Sequence, residues 1–201
     1  MHTSKTIEFW YEFASTYSYL SALRIEDLAQ KSGVTVRWRP FLLGPIFREQ
    51  GWSDSPFNLY PAKGRYMWRD LERRAKKYGL GFLKPTHFPR NGLLASRIAL
   101  LGSDAGWGAE FSRRVYLANF SEDQEIAEPD VLRIILKDIV RDPQEVLELA
   151  QGEELKKKLR IQTEHAQSLG IFGAPSFIAN GELFWGDDRL EDALEYSMAK
   201  N

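Results

Sequence analysis

The stretch EFASTYSYLSAL (residues 12–23) joins an apolar, aromatic run to a segment with helical character. Upstream, Ile7 to Phe13 is short and aromatic enough for a buried strand. Downstream, Tyr19 to Lys31 is free of proline, rich in leucine and alanine, and closed by Gly33, a helix stop signal. In SGVTVRWRP (residues 32–40), Val34, Val36 and Trp38 alternate with Thr35 and Arg37, which predicts a second strand ended by Pro40. Strand, helix and strand in about 35 residues form a βαβ unit, expected to be parallel and right-handed.

The strand pattern returns only near the C-terminus. APSFIANGELFW (residues 174–185) holds two short apolar runs joined by Asn180-Gly181, a hairpin signal. DDRLEDALEYSMAK (residues 187–200) predicts a terminal helix with acids at its start and Lys200 at its end. Between the two blocks, apolar residues recur at helical spacing. Met67, Leu71, Ala75 and Tyr78 follow Pro61 and precede Gly79. Trp107, Phe111, Val115 and Ala118 form a similar stripe, and Leu132, Ile135 and Ile139 follow Pro129. A helix capped by Asp142 with Pro143 at its first position, and another from Glu153 to Ser168, complete the block.

The expected architecture is therefore α/β: a thioredoxin-like fold, βαβ…ββα, with a large all-helical insertion. Residues 1–42 and 170–201 would make the framework and residues 43–169 the inserted helical domain. The stretch LLGPIFREQGWSDSPFNLYP (residues 42–61) reads as an irregular loop, a lid or a connector, since Gly44, Pro45, Gly51, Pro56 and Pro61 break any period.

Composition narrows the function. With 27 basic and 28 acidic residues the net charge is −1, which leaves no broad electrostatic footprint for nucleic acid or an anionic membrane. There is no cysteine, so no disulfide, thiolate metal site or redox cycle can run on the chain's own sulfur. His2, His87 and His165 have no metal-ligand spacing, and no metal is expected. The N-terminus lacks the basic flank and apolar run of a secretory signal, so a cytoplasmic location is the expectation.

Three short motifs carry candidate chemistry. Ser15 stands before the first helix, where it serves either as an N-cap or as a hydroxyl donor to a bound thiolate. In GIFGAPSF (residues 170–177), Pro175 begins a strand; a cis Ala174-Pro175 bond would leave the Ala174 backbone free to pair with an extended peptide, whereas a trans proline would simply start an edge strand. FWGDDRL (residues 184–190) puts Gly186, Asp187, Asp188 and Arg189 at a helix start, suited to capping or to holding an amino-acid zwitterion. In KGRYMWRDLERRAKK (residues 63–77), Lys63 is a cation in a first helical turn, unfavourable there unless it meets an anion.

The chain resembles the 2-hydroxychromene-2-carboxylate isomerase family, kin of kappa-class glutathione transferases and, more distantly, of DsbA-like oxidoreductases. FASTYSYL (residues 13–20) is similar to the family's Phe-x-Ser-Pro-x-Ser-Tyr-Leu, PAKGRYMWRD (residues 61–70) to its Pro-x-Lys-Gly-x-Tyr, and FWGDDRL to Phe-x-Gly-x-Asp-Arg, with GIFGAPSF as the fourth match. The resemblance implies glutathione as cofactor and a small aromatic substrate. Ser15 would hydrogen-bond the glutathione sulfur and Lys63 would reach the glycyl end. Ala174, beside Pro175, would pair with the cysteinyl backbone, and Asp187 and Asp188 would hold the γ-glutamyl end. It further implies cis–trans isomerisation through reversible thiolate addition to a conjugated double bond, and a homodimer. A kappa-like transferase and a non-catalytic thioredoxin-fold binding protein are the alternatives. Two departures stand out: Thr16 replaces the family proline, and Trp52 stands where the family often has asparagine, a role that Asn58 would take over or that is lost.

Overall fold

The computed structural model describes residues 5–199; His2 and Lys200, both considered above, lie outside the described residues. Strand β1 (Thr6–Tyr11) pairs in parallel with β2 (Thr35–Pro40), and antiparallel with β3 (Ser176–Ala179), which pairs antiparallel with β4 (Glu182–Trp185). The sheet order is β2-β1-β3-β4. The most aromatic strand, β1, is therefore central, where both of its faces are covered. Ile7, Phe9 and Tyr11 join the main core, whereas Trp10 points to the other face and packs with Phe41, Ile46, Ala166 and Ile171.

The predicted first helix is two helices, α1 (Thr16–Ala22) and α2 (Ile25–Ser32), separated at Leu23 and Arg24. The sequence has no breaker there. The Arg24 guanidinium is drawn instead to the buried Asp187, 3.0 Å away, and lies 3.6 Å from the ring centre of Tyr78. Gly33, at φ +65°, closes α2 as expected.

The stretch expected to be a loop contains α3 (Leu43–Glu49) and α4 (Pro56–Leu59). Pro45 falls in the first turn of α3 and Pro56 at the start of α4, where a missing N–H costs no intrahelical bond. The long α5 (Pro61–Tyr78) follows, then α6 (Leu93–Ala105), α7 (Gly108–Phe120), α8 (Pro129–Leu136), α9 (Pro143–Gln151) and α10 (Glu153–Ser168). Asp142 caps α9 through the Gln144 and Glu145 amides, as its spacing predicts. Asn180 and Gly181 both have positive φ in the β3–β4 hairpin, and a short 3₁₀ turn (Asp187–Arg189) leads into α11 (Leu190–Met198).

One hydrophobic core runs through the framework and the helices alike, from Phe9 and Phe177 on the sheet to Phe111, Val115, Leu132 and Leu147. Helices α6 and α7 pack closely, and a Cβ on Gly108 would sit 2.6 Å from the Ser103 amide nitrogen and 2.9 Å from the Ala99 carbonyl oxygen. Those neighbours are backbone and cannot step aside. Gly108→Ala is expected to cost about 1–3 kcal/mol of stability, read as a lower urea midpoint at unchanged slope.

Candidate functional site

The end of β1 and the start of α1 meet in a turn that is fixed from behind by α7. The Tyr116 hydroxyl donates to the Glu12 carbonyl (2.9 Å), and the Asn119 side-chain amide donates to the Phe13 carbonyl (3.0 Å). Arg90 in turn donates to both the Asn119 side-chain and backbone oxygens, each at 3.1 Å. The Glu12 carbonyl accepts from the Ser15 amide as well, at 2.9 Å, so the turn is closed on itself and tied to α7.

Ser15 sits at this corner. Its hydroxyl oxygen accepts from the Ser18 amide at 3.2 Å, so the capping role is real. The hydroxyl also donates to the Ala174 carbonyl across the fold, at 2.9 Å. The Ala174-Pro175 peptide is cis, which answers the question the sequence left open. The Ala174 carbonyl is not free as expected, however, because Ser15 already occupies it. With only seven residues in α1, the hydroxyl is the more substantial device at this corner and the helix field the lesser one.

The corner opens into a cleft of about 1630 Å³ whose lining includes Ser15, Lys63, Ala174, Pro175, Asp187 and Asp188. The six expected site residues are thus brought to one cavity from four separated parts of the chain. Lys63 owes its position to Gly64, where a Cβ would lie 2.3 Å from the Phe57 carbonyl oxygen, so α4 and the start of α5 pack in contact. Trp52 also lines the cleft, but Asn58 bonds to Asp54 and to the Phe88 carbonyl and is not part of the lining.

Asp187 and Asp188, consecutive in sequence, have opposite surroundings. The Asp187 carboxylate is 1% exposed and accepts from Ser21 (3.0 Å), Arg24 (3.0 Å) and Arg74 (2.6 and 3.0 Å). Burial pushes its carboxyl up, opposed by the two guanidinium groups. Its oxygens are committed, so only its backbone is left to meet a ligand. Asp188 is exposed, held by Arg189 at 3.0 Å, and able to face a cation.

Aromatic rings form much of the remaining wall: Tyr17, Phe47, Trp52, Phe57, Tyr66, Phe88, Phe172 and Trp185 all border the cleft. Phe172 and Trp185 pair edge to face with ring centres 4.9 Å apart, and remain 44% and 53% exposed. Gly173 makes room for them, since a Cβ there would lie 2.4 Å from Trp185 Nε1. Exposed rings beside a polar corner suit a ligand with one polar and one flat apolar part.

The residue that sequence reasoning missed is Glu12. It is 9% exposed, lines the cleft, and its Oε2 accepts the Ala14 amide at 2.9 Å. Burial pushes its carboxyl from 4.5 up to about 7, against the lowering effect of the Ala14 and Ser15 amides. The signal in the sequence was an acid inside an otherwise apolar strand end.

The sign of the pH effect follows. Between about 4.5 and about 7 the folded chain keeps a proton that the unfolded chain releases, so Glu12 makes stability fall as pH rises through that window. Glu12→Gln should therefore be the more stable protein at about pH 8, by up to roughly 3 kcal/mol, and equal to the parent near pH 4. Urea denaturation at both pH values checks this; a difference independent of pH would contradict it.

Comparison with known proteins places this geometry. A profile for the DSBA-like thioredoxin domain matches residues 6–197. The chain is 27% identical over 197 residues to a 2-hydroxychromene-2-carboxylate isomerase of Sphingobium xenophagum, covering 97% of this chain and 99% of that protein. It is likewise 27% identical over 201 residues to glutathione S-transferase kappa 1 of Caenorhabditis elegans, covering 96% and 84%. A solved 2-hydroxychromene-2-carboxylate isomerase structure superposes with a TM-score of 0.87 at 23% identity, over 96% of this chain and 94% of that one. Profile, relatives and superposition cover the same near-complete length, and the chain belongs to the DSBA-like thioredoxin family.

Proposed function

We propose that this protein is a glutathione-dependent cis–trans isomerase acting on 2-hydroxychromene-2-carboxylate or a close aromatic analogue. The observation that carries this reading is the convergence of Ser15, Ala174, Lys63 and Asp188 on one cleft walled by aromatic side chains. In a chain without cysteine, a thioredoxin-type corner gains a thiol only from a ligand. The names of two full-length relatives, an isomerase and a kappa glutathione transferase, support the same class of chemistry.

The residues present fit glutathione. Lys63 would meet the glycyl carboxylate, Asp188 the γ-glutamyl ammonium, and the backbone beside Pro175 the cysteinyl amide groups. When bound, glutathione supplies a thiol nucleophile that adds reversibly to a conjugated double bond. Ser15 has one hydroxyl proton, now given to the Ala174 carbonyl. A ligand N–H taking its place at that carbonyl would free the hydroxyl to turn toward the sulfur, so peptide docking and thiol activation would be one exchange of hydrogen bonds. The Phe172–Trp185 pair would receive the flat substrate and exclude water from one side.

Ser15→Ala is expected to lower turnover of 2-hydroxychromene-2-carboxylate about 10- to 100-fold with little change in glutathione affinity, the loss of one hydrogen bond to a charged group. Ultraviolet difference titration should show the saturable thiolate band of the parent weakened in the variant; equal bands and equal rates would remove Ser15 from the mechanism. If glutathione instead stays on the product, the transferase reading replaces isomerisation, and if no thiolate forms the non-catalytic reading does.

Asp188→Ala should weaken glutathione about tenfold while leaving a thiol without the γ-glutamyl group unaffected. Calorimetric titration with both thiols makes the comparison. Equal losses would make the loop structural only.

A further inference from the structure

Five acidic side chains line the cleft, and their partners separate them sharply. Asp54 accepts from Asn58 and the Ser55 amide, Asp70 from the Tyr17 hydroxyl and Arg73, Asp187 from Ser21 and two arginines, and Asp188 from Arg189. Glu12, the fifth, has no side-chain hydrogen-bond partner among the described residues; backbone amides serve it instead, with Ala14 donating to Oε2 at 2.9 Å. Its Oε1 lies by Gly92, where a Cβ would be 3.4 Å away, and the side chain still reaches the cleft.

Glu12 and Ser15 are ends of one turn. The Ser15 amide donates to the Glu12 carbonyl at 2.9 Å while the Ala14 amide, between them, holds the Glu12 carboxylate at 2.9 Å. Carboxylate and hydroxyl therefore border the same cavity from one rigid loop, fixed behind by Tyr116 and Asn119. The titratable group that interacts with the carboxylate is the phenol of Tyr116, kept neutral by burial, while the Tyr11 hydroxyl is paired with Ser112. Arg90, two residues before Gly92, directs its guanidinium to Asn119, Asp123 and Glu125.

We propose that Glu12 is the acceptor for the proton that a thiol loses on binding at the Ser15 corner. The S–H bond breaks, the electron pair stays on sulfur, and the proton forms an O–H bond on the Glu12 carboxylate. This rests on the glutathione reading above. The Ser15 hydroxyl cannot fill the role, because it ionises far above neutral pH and acts as donor. A carboxyl raised to about 7 by burial is ionised at pH 8, accepts readily, and once protonated no longer repels the thiolate beside it.

Calorimetric titration with glutathione near pH 8, in buffers of different ionisation enthalpy, counts the protons released on binding. The parent should release close to none. Glu12→Gln, with no acceptor, should release about one for each thiolate formed, read from the ultraviolet band. Equal counts in the two proteins, with binding intact, would overturn the proposal and leave the glutathione reading standing. Absence of binding in both would overturn that reading and this one together. Should the variant fail to fold, the parent decides alone: difference infrared spectra must gain a protonated-carboxyl band when glutathione is added, and its absence overturns the proposal.

Discussion

The shape of the cleft depends on one buried carboxylate. Asp187 ties together Ser21 of α1, Arg24 at the α1–α2 break and Arg74 of α5. The charges are taken from water at considerable cost, which is offset only because both oxygens are multiply bonded. Arg24 also pairs with Glu191 and stacks on Tyr78, and Arg74 donates to the Tyr78 hydroxyl at 2.9 Å. Removing the carboxylate would leave two guanidinium groups facing each other across a buried gap, so the node is all or nothing. Through it the helices of the central block are held against the framework on the side where the cleft opens.

A second set of polar contacts fixes the turn after β1. Tyr116, Asn119 and Ser112 of α7 reach the end of β1 and the turn after it, with Tyr11 and Ser112 hydroxyls 2.7 Å apart. A turn supplied with this many partners has little freedom to relax, and so it can hold an acid in surroundings that disfavour its charge. Burial raises the affinity of Glu12 for a proton, and the partners of the turn hold the carboxylate in that buried position.

Most of the fold was legible because its signals are local. Asn180-Gly181, Asp142-Pro143, Gly33 and Gly79 each act within a few residues, and the structure uses them as expected. What escaped was set by distant partners. The break before α2 comes from Arg24 reaching a residue 163 positions away. Helix α6 was not foreseen because it packs against α7, α9, α10 and β2, so apolar residues surround it and no single stripe stands out. Pro45 reads as a breaker in the sequence, yet it stands in a first turn. The same division holds at the site. Ser15, Lys63, Pro175 and Asp188 are found in short motifs, whereas the roles of Glu12, Tyr116, Asn119, Arg24 and Arg74 exist only once the chain has closed on itself.

The pair Asp187-Asp188 shows how little sequence is needed to give two identical side chains different work. Gly186 has φ +112°, a conformation suited to glycine, and a Cβ on it would lie 2.6 Å from the Asp188 carboxylate. Its amide is bound to the Pro175 carbonyl at 3.0 Å, so this turn is anchored directly to the strand that begins beside Ser15. From that anchor the 3₁₀ turn rotates the first acid inward to the arginines and the second outward to the cleft. Any side chain at position 186 would crowd the outward acid first, and the inward one would keep its partners. The buried and the exposed halves of this dipeptide are therefore separable, and the glycine before them is what keeps the exposed half in place.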